Sequence, residues 1–328
     1  MSGDRGEGIY LRSYLKEFDH LLARPEVTDL YINRPREIWV ETLGGDIERH
    51  DAPELDTVHL ERLSRQIAGA SHQAVNRRNP ILSATLPDGA RVQIVLPPAT
   101  RGDIAIAIRK HVAADFSIAD YEASGALDAT MVDSRQTQQE REAVRVLLGE
   151  RKIAQALCQA VRGRLNILVS GGTSTGKTTF LNALLREVPA NERLILIEDT
   201  PELRLTHYNS VALIAARSEL SESIATADEL VSASLRMRPD RIILGELRGR
   251  EAFAFLRAVN SGHPGSMTTV HADSPAGAIE QIALLVLQGG SQLRREDVRA
   301  YVSASIGMFV QLGRIGGKRV VQGLELAP

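Results

Sequence analysis

Cysteine is almost missing from this sequence. Cys158 stands alone, so neither an intrachain disulfide nor a thiolate zinc cluster can form. Aromatic residues make up 4% of the chain, too few for the base-stacking strip of a single-strand nucleic-acid binder. A surplus of charge is lacking as well: 39 basic against 41 acidic residues leave a formal net charge of −2. No basic field advertises nucleic acid, and direct nucleic-acid binding is not expected. No run approaches the length needed to cross a membrane; the longest, such as IALLVL at 282–287, suit buried helix or strand. The opening MSGDRGEGIY has no apolar core of an export signal. The expectation is a cytoplasmic chain, peripheral to a membrane through partners. Lysine occurs only at 16, 110, 152, 177 and 318, so arginine, suited to bidentate pairing with carboxylate or phosphate, carries most of the positive charge.

What is present falls into two halves. Leu11, Tyr14, Leu15, Phe18, Leu21 and Leu22 recur at spacings of three and four, which predicts an N-terminal helix. DLYINRPREIWVE reads as two strands around a turn, 57–69 as a helix, PILSATLPDGARVQIVLPP as a hairpin, and DIAIAIRK as a further strand. Residues 1–111 are therefore expected to form an α+β domain. Residues 112–150 are expected to be a linker with short helical pieces, and 151–328 an α/β domain. In that second domain RLNILVSGG, RLILIED, RIILGE and SMTTVHA read as buried strands separated by helices. One helix opens on a Thr226/Glu229 capping box, another on Ser274 and Pro275. The tail from Arg299 reads as strands with IGG at a turn.

The chemistry concentrates in GGTSTGKTTF. Gly171, four residues, then Gly176, Lys177 and Thr178 complete the phosphate-loop pattern between an apolar strand and a helix. Glycines let backbone N–H groups from Gly171, Gly172, Thr173, Ser174, Thr175, Gly176 and Thr179 curl round phosphate, and the helix N-terminus favours the anion. Lys177 is placed to reach the β- and γ-phosphates, and the Thr178 hydroxyl suits Mg²⁺. The cofactors expected are ATP and Mg²⁺. Glu246 ends another apolar strand, with Gly245 before it where an aspartate is usual; it either orients the attacking water or pairs with Arg248 or Arg250. Glu198 follows an apolar run, where a carboxylate needs a partner or metal, and is a candidate for Mg²⁺, directly or through water. His271 ends a short strand, an address that faces the ligand crevice of parallel α/β sheets. Arg91 and Arg109 have no local acidic partner and serve either as a phosphate clamp or as a solvated sheet face.

In order, GGTSTGKTT, LILIEDTPEL, LRMRPDRIILGELRG and SGHPGSMTTVHADS resemble the signature boxes of the secretion ATPase superfamily. Within it the chain is most similar to the hexameric traffic ATPases of bacterial type IV secretion and conjugation systems, and TDLYINRPREIWVE extends the likeness into the first half. The resemblance implies a RecA-like P-loop NTPase core and a homo-hexamer that hydrolyses Mg·ATP. It also implies partners among the inner-membrane and cytosolic components of a secretion channel, other ATPases included. Lys177 and Thr178 match the family's Walker A residues, Glu198 its acidic-box glutamate, Glu246 its catalytic Walker B glutamate, and His271 the histidine of the last box. Arg91 and Arg109 match N-terminal arginines that reach phosphate, and one of Arg236 and Arg238 is a candidate for a neighbouring subunit's nucleotide. Two other classes stay open from the residues: an ATP-driven nucleic-acid translocase and a slow-turnover nucleotide-gated interaction module.

Overall fold

The computed structural model of the chain describes residues 4–110, 117–128, 135–218 and 220–327. The first half comprises α1 (Asp4–Leu22), β1 (Val27–Ile32), β2 (Glu37–Thr42), β3 (Ile47–Asp51), α2 (Thr57–Ala70), β4 (Ile81–Thr85), β5 (Arg91–Val95) and β6 (Ala105–Arg109). The strands form an antiparallel sheet in the order β3-β2-β1-β6-β5-β4. Strand periodicity sends alternate residues to opposite faces. Ile106 and Ile108 of β6 pack with Leu11, Phe18, Leu60 and Leu63 of the two helices. Ala105 and Ala107 face the other way, into the core of the second half. Small side chains on that face let a second sheet approach.

The second half follows in chain order: α3 (Ile118–Ala123), α4 (Arg135–Gly149), α5 (Ile153–Arg162), β7 (Ile167–Gly171), α6 (Lys177–Leu185), β8 (Leu194–Glu198) and β9 (Ser210–Ile214). Then come α7 (Ala227–Ser234), β10 (Arg241–Leu244), α8 (Glu251–Val259), β11 (Met267–Val270), α9 (Pro275–Gln288), α10 (Arg295–Ser305), β12 (Met308–Ile315) and β13 (Lys318–Leu326). Its sheet runs β13-β12-β7-β11-β10-β8-β9, parallel throughout except for β13. Helices cover both faces, the α/β architecture expected of a RecA-like core.

Two expectations need correction, and one strand was not foreseen. Of the linker expected over 112–150, residues 112–116 and 129–134 lie outside the described residues, and 135–149 is the helix α4. Val144 of α4 is fully buried in one cluster with Ala156 and Ala160 of α5, so this stretch is part of the ATPase half's packing. The strand reading from Arg299 fails at its start, because α10 runs to Ser305. Val298, Val302 and Ser305 bury one helical face, and Glu296 and Asp297 in the first turn favour the helix dipole. The polar strand β3 had no apolar alternation to announce it.

The halves are bolted together by buried polar contacts. Arg193 is 1% exposed and lies 4.1 Å over the Tyr31 ring. It donates to Asn33 Oδ1 at 2.7 Å and to the Met237 carbonyl at 3.0 Å. Burial pulls its guanidinium down to about 10. Residues 99–101 lie as a short strap along β9: Ile214 N–H donates to the Ala99 carbonyl and Arg101 N–H to the Ala212 carbonyl, both at 2.9 Å. The strap covers the edge of the seven-stranded sheet.

Candidate active site

Every residue of β7 is buried, and the chain turns from it into the loop 171–176 and the first residue of α6, Lys177. A β-carbon on Gly171 would stand 2.6 Å from Thr175 Oγ1 and 3.0 Å from the Leu312 carbonyl, so no side chain fits there. Gly176 has φ +92°, in the left-handed region that glycine tolerates without strain. The loop bends back on itself: Thr175 Oγ1 donates to the Gly172 carbonyl at 2.9 Å. Lys177 Nζ donates to the carbonyls of Gly171 and Gly172 at 3.0 and 3.3 Å.

A cavity of about 1030 Å³ opens above this loop, lined by residues 173–179 and by Glu198, Glu246 and His271. Thr178 and Thr179 face it directly, whereas Gly171 and Gly172 lie beneath as the shelf for Lys177. Lys177 Nζ stands 3.6 Å from Glu246 Oε1 and 3.2 Å from His271 Nε2, and His271 Nε2 lies 2.9 Å from Glu246 Oε1. Parallel strands β10 and β11 end side by side and bring these two residues together. Burial lowers the Lys177 pKa, and the Glu246 carboxylate opposes that shift. Glu246 is also bonded to Arg248, the ion pair weighed above, so it is both a cavity carboxylate and a paired one.

Glu198 lines the cavity and is held there by donors of the chain itself. Its Oε1 accepts from the backbone N–H groups of Glu202 and Leu203 at 2.9 and 2.6 Å, and its Oε2 accepts from Arg101 Nη2. Both oxygens are engaged, at 3% side-chain exposure. Burial raises its pKa and these donors lower it, with burial the larger effect. Its stem also fills the space beside Gly245, where a β-carbon would touch Glu198 Cγ at 3.4 Å. An aspartate at 245 would press two carboxylates together.

Arg91 and Arg109 do not reach this cavity within one chain. They sit directly opposite each other on β5 and β6, in a separate notch of about 750 Å³ that also includes Arg236. Asp29 holds Arg109 at 2.9 Å. Among the described residues, the cavity above the loop is lined entirely by residues after 172. Arg238 is committed elsewhere, to Asp240 and to Glu41 of the first half.

Sequence reasoning missed Arg101 and Arg319. Arg101 follows the Pro97–Pro98 pair in a loop with no motif, and only the pairing of its strap on β9 brings it to Glu198. Arg319 lines the cavity from β13, and the IGG turn was the available signal.

Comparison with known proteins shows the family. The family model described as Type II/IV secretion system protein matches residues 16–306. The type IV secretion system protein VirB11 of Bartonella quintana is 37% identical over 318 residues, covering 93% of this chain and 89% of the relative. Protein VirB11 of Agrobacterium fabrum is 36% identical over 293 residues, covering 88% of this chain and 84% of the relative. The crystal structure of the VirB11 ATPase from the Brucella suis type IV secretion system, in complex with sulphate, superposes with a TM-score of 0.89 at 35% identity. It covers 96% of this chain and 97% of its own. With the phosphate loop, the strand-end Glu246 and His271, and a likeness that spans both halves, the chain belongs to the type II/IV secretion system protein family.

Proposed function

We propose that this chain is a ring-forming ATPase motor of a type IV secretion system, using Mg·ATP to power substrate transfer or pilus assembly. The observation that carries the reading is the convergence of Lys177, Glu246 and His271 within 3.6 Å of one another beneath a cavity walled by the phosphate loop. Its donors fit a magnesium–nucleotide ligand: a threonine hydroxyl and a carboxylate, both hard oxygen groups, beside a helix N-terminus. Thr178 would hold the ion, and the ion would neutralise charge on the terminal phosphates. Glu198, clamped by Arg101, is left to shape the wall.

The roles of the chain's own residues follow. Phosphate oxygens would draw the Lys177 ammonium off the Gly171 and Gly172 carbonyls. Separation of Lys177 from Glu246 would then leave the carboxylate free to orient a water and accept its proton. His271, 2.9 Å from Glu246, would fix that carboxylate's rotamer and change partner when the terminal phosphate is lost. The notch of Arg91, Arg109 and Arg236 suits the triphosphate of a neighbouring copy. Arg91 makes no ion pair among the described residues, and an anion is what such a notch lacks. Site sharing of this kind supports a homo-hexamer in which the N-terminal half of one subunit serves the next. Partners would be channel components at the cytoplasmic face of the inner membrane; among the described residues no helix is long and apolar enough to cross it.

The test is steady-state ATP hydrolysis by the full-length chain with light scattering on the same sample. Wild-type protein should turn over ATP as a hexamer, and Lys177→Ala should lose at least about 100-fold in kcat/KM. A Lys177→Ala protein with wild-type turnover would sink the mechanism. Stimulation many-fold by DNA would instead favour the translocase reading.

A further inference from the structure

The tip of the β12–β13 hairpin concentrates positive charge that nothing among the described residues neutralises. Gly316 and Gly317 have φ of +56° and +80°, so the turn takes two residues with both φ positive. That geometry suits strand twist and fixes the register, pairing Ile315 with Lys318 and Arg314 with Arg319. Like charges directly opposite on an antiparallel pair repel. Among the described residues, Arg314, Lys318 and Arg319 make no ion pair or side-chain hydrogen bond.

Of these cations only Arg319 lines the phosphate-loop cavity. A β-carbon on Gly176 would lie 3.1 Å from its Cδ and 3.6 Å from its Nε and Nη1. The guanidinium therefore rests against the N-cap of α6, the end whose dipole is positive, beside a loop that already carries Lys177. The dipole, Lys177 and Arg314 all oppose a cation there, and among the described residues the Arg319 guanidinium has no carboxylate partner of its own. The arrangement becomes favourable when an anion stands between.

Sheet order says which part of the anion. Glu246 and His271 follow β10 and β11, on one side of β7; Arg319 comes from β13, on the other side. A nucleotide whose terminal phosphate meets Glu246 must run its nucleoside end back across the loop toward β12 and β13. We propose that Arg319 binds the α-phosphate of the nucleotide, in cis, from the hairpin side of the phosphate loop. This rests on the nucleotide-site reading above and deepens it: one arginine holds the portion that ATP and ADP share.

The experiment measures Kd for ADP by calorimetry, and KM and kcat for ATP, on full-length wild-type, Arg319→Ala, Arg319→Lys and Lys177→Ala proteins, with circular dichroism as the folding control. Arg319→Ala should weaken ADP binding and raise the ATP KM by the same factor, about tenfold, with kcat within about twofold of wild type. Arg319→Lys should recover part of that loss. Unchanged Kd and KM in Arg319→Ala, while Lys177→Ala loses binding, would overturn the α-phosphate contact and leave the site intact. A tenfold fall in kcat with ADP affinity unchanged would place Arg319 at the terminal phosphate and equally overturn it. Normal nucleotide binding by Lys177→Ala would instead strike the underlying site reading.

Discussion

Replacing Glu198 by glutamine separates two accounts of that carboxylate. In the clamp seen here, glutamine keeps one oxygen for the Glu202 and Leu203 N–H groups and loses the charge that Arg101 engages. A hydrogen bond to a charged partner is worth about 1.5–3 kcal/mol. Relief of the burial that raises the Glu198 pKa offsets part of this, leaving an expected net loss of about 1–2 kcal/mol. At about 2–4 °C per kcal/mol for a unit the size of the ATPase half, Tm should fall by about 2–8 °C. Arg101→Ala removes the same bond and one to the Leu203 carbonyl at 2.7 Å. The two changes should therefore be non-additive, with a coupling of about 1–2 kcal/mol in urea unfolding. Mg²⁺ dependence of ATP turnover should shift less than about threefold in Glu198→Gln, since three protein donors already engage the two carboxylate oxygens. Additivity within about 0.3 kcal/mol, together with a 100-fold loss of Mg²⁺ affinity, would refute the clamp and restore Glu198 as a metal ligand.

Three further outcomes follow from the geometry. Glu246→Gln should bind nucleotide as wild type does and lose about 10²–10⁴-fold in kcat, read by parallel binding and turnover assays. Arg241 is fully buried and bidentate to Glu192 at 2.6 and 2.8 Å, so Glu192→Ala, which strands that charge, should lose about 3–5 kcal/mol in urea unfolding. Burial pushes the Glu192 pKa up, but bonds from Arg241 and Arg164 outweigh it and hold the native value below the ordinary range. Its contribution is thus present above about pH 4.3 and lost as pH falls through the lower native value, which the Glu192→Ala protein's acid-unfolding curve should lack.

The parts of this fold that announced themselves were those with local causes. The phosphate loop, the capping box at Thr226 and Glu229, and the alternation of Ala105–Arg109 each follow from neighbours in sequence. One element was hidden by competing periods. In 298–306, Val302, Ala304 and Ile306 alternate like a strand, while Val298, Val302 and Ser305 fit a helix, and the acidic first turn decides. The candidate site divided in the same way. Lys177, Thr178, Glu246 and His271 each end or begin an element of the parallel sheet, so strand order gathers them. Arg101 arrives across 97 residues of sequence to Glu198, and Arg319 through a hairpin register, neither of which leaves a local trace. Arg91 and Arg109 carried a motif, but a motif does not say whose phosphate an arginine meets.

The strap at 99–101 has a consequence for assembly. It recognises the β9 edge through backbone groups, with hydrogen bonds at Ala99 and Arg101, and asks little of side-chain identity. Any displacement of the N-terminal half from its own subunit uncovers a bare strand edge, a surface that seeks another strand. In a ring, the nearest strand of matching sequence belongs to the next copy. The edge reads backbone rather than ownership, so in the proposed ring the strap of a neighbouring copy would dock on β9 with the same two hydrogen bonds.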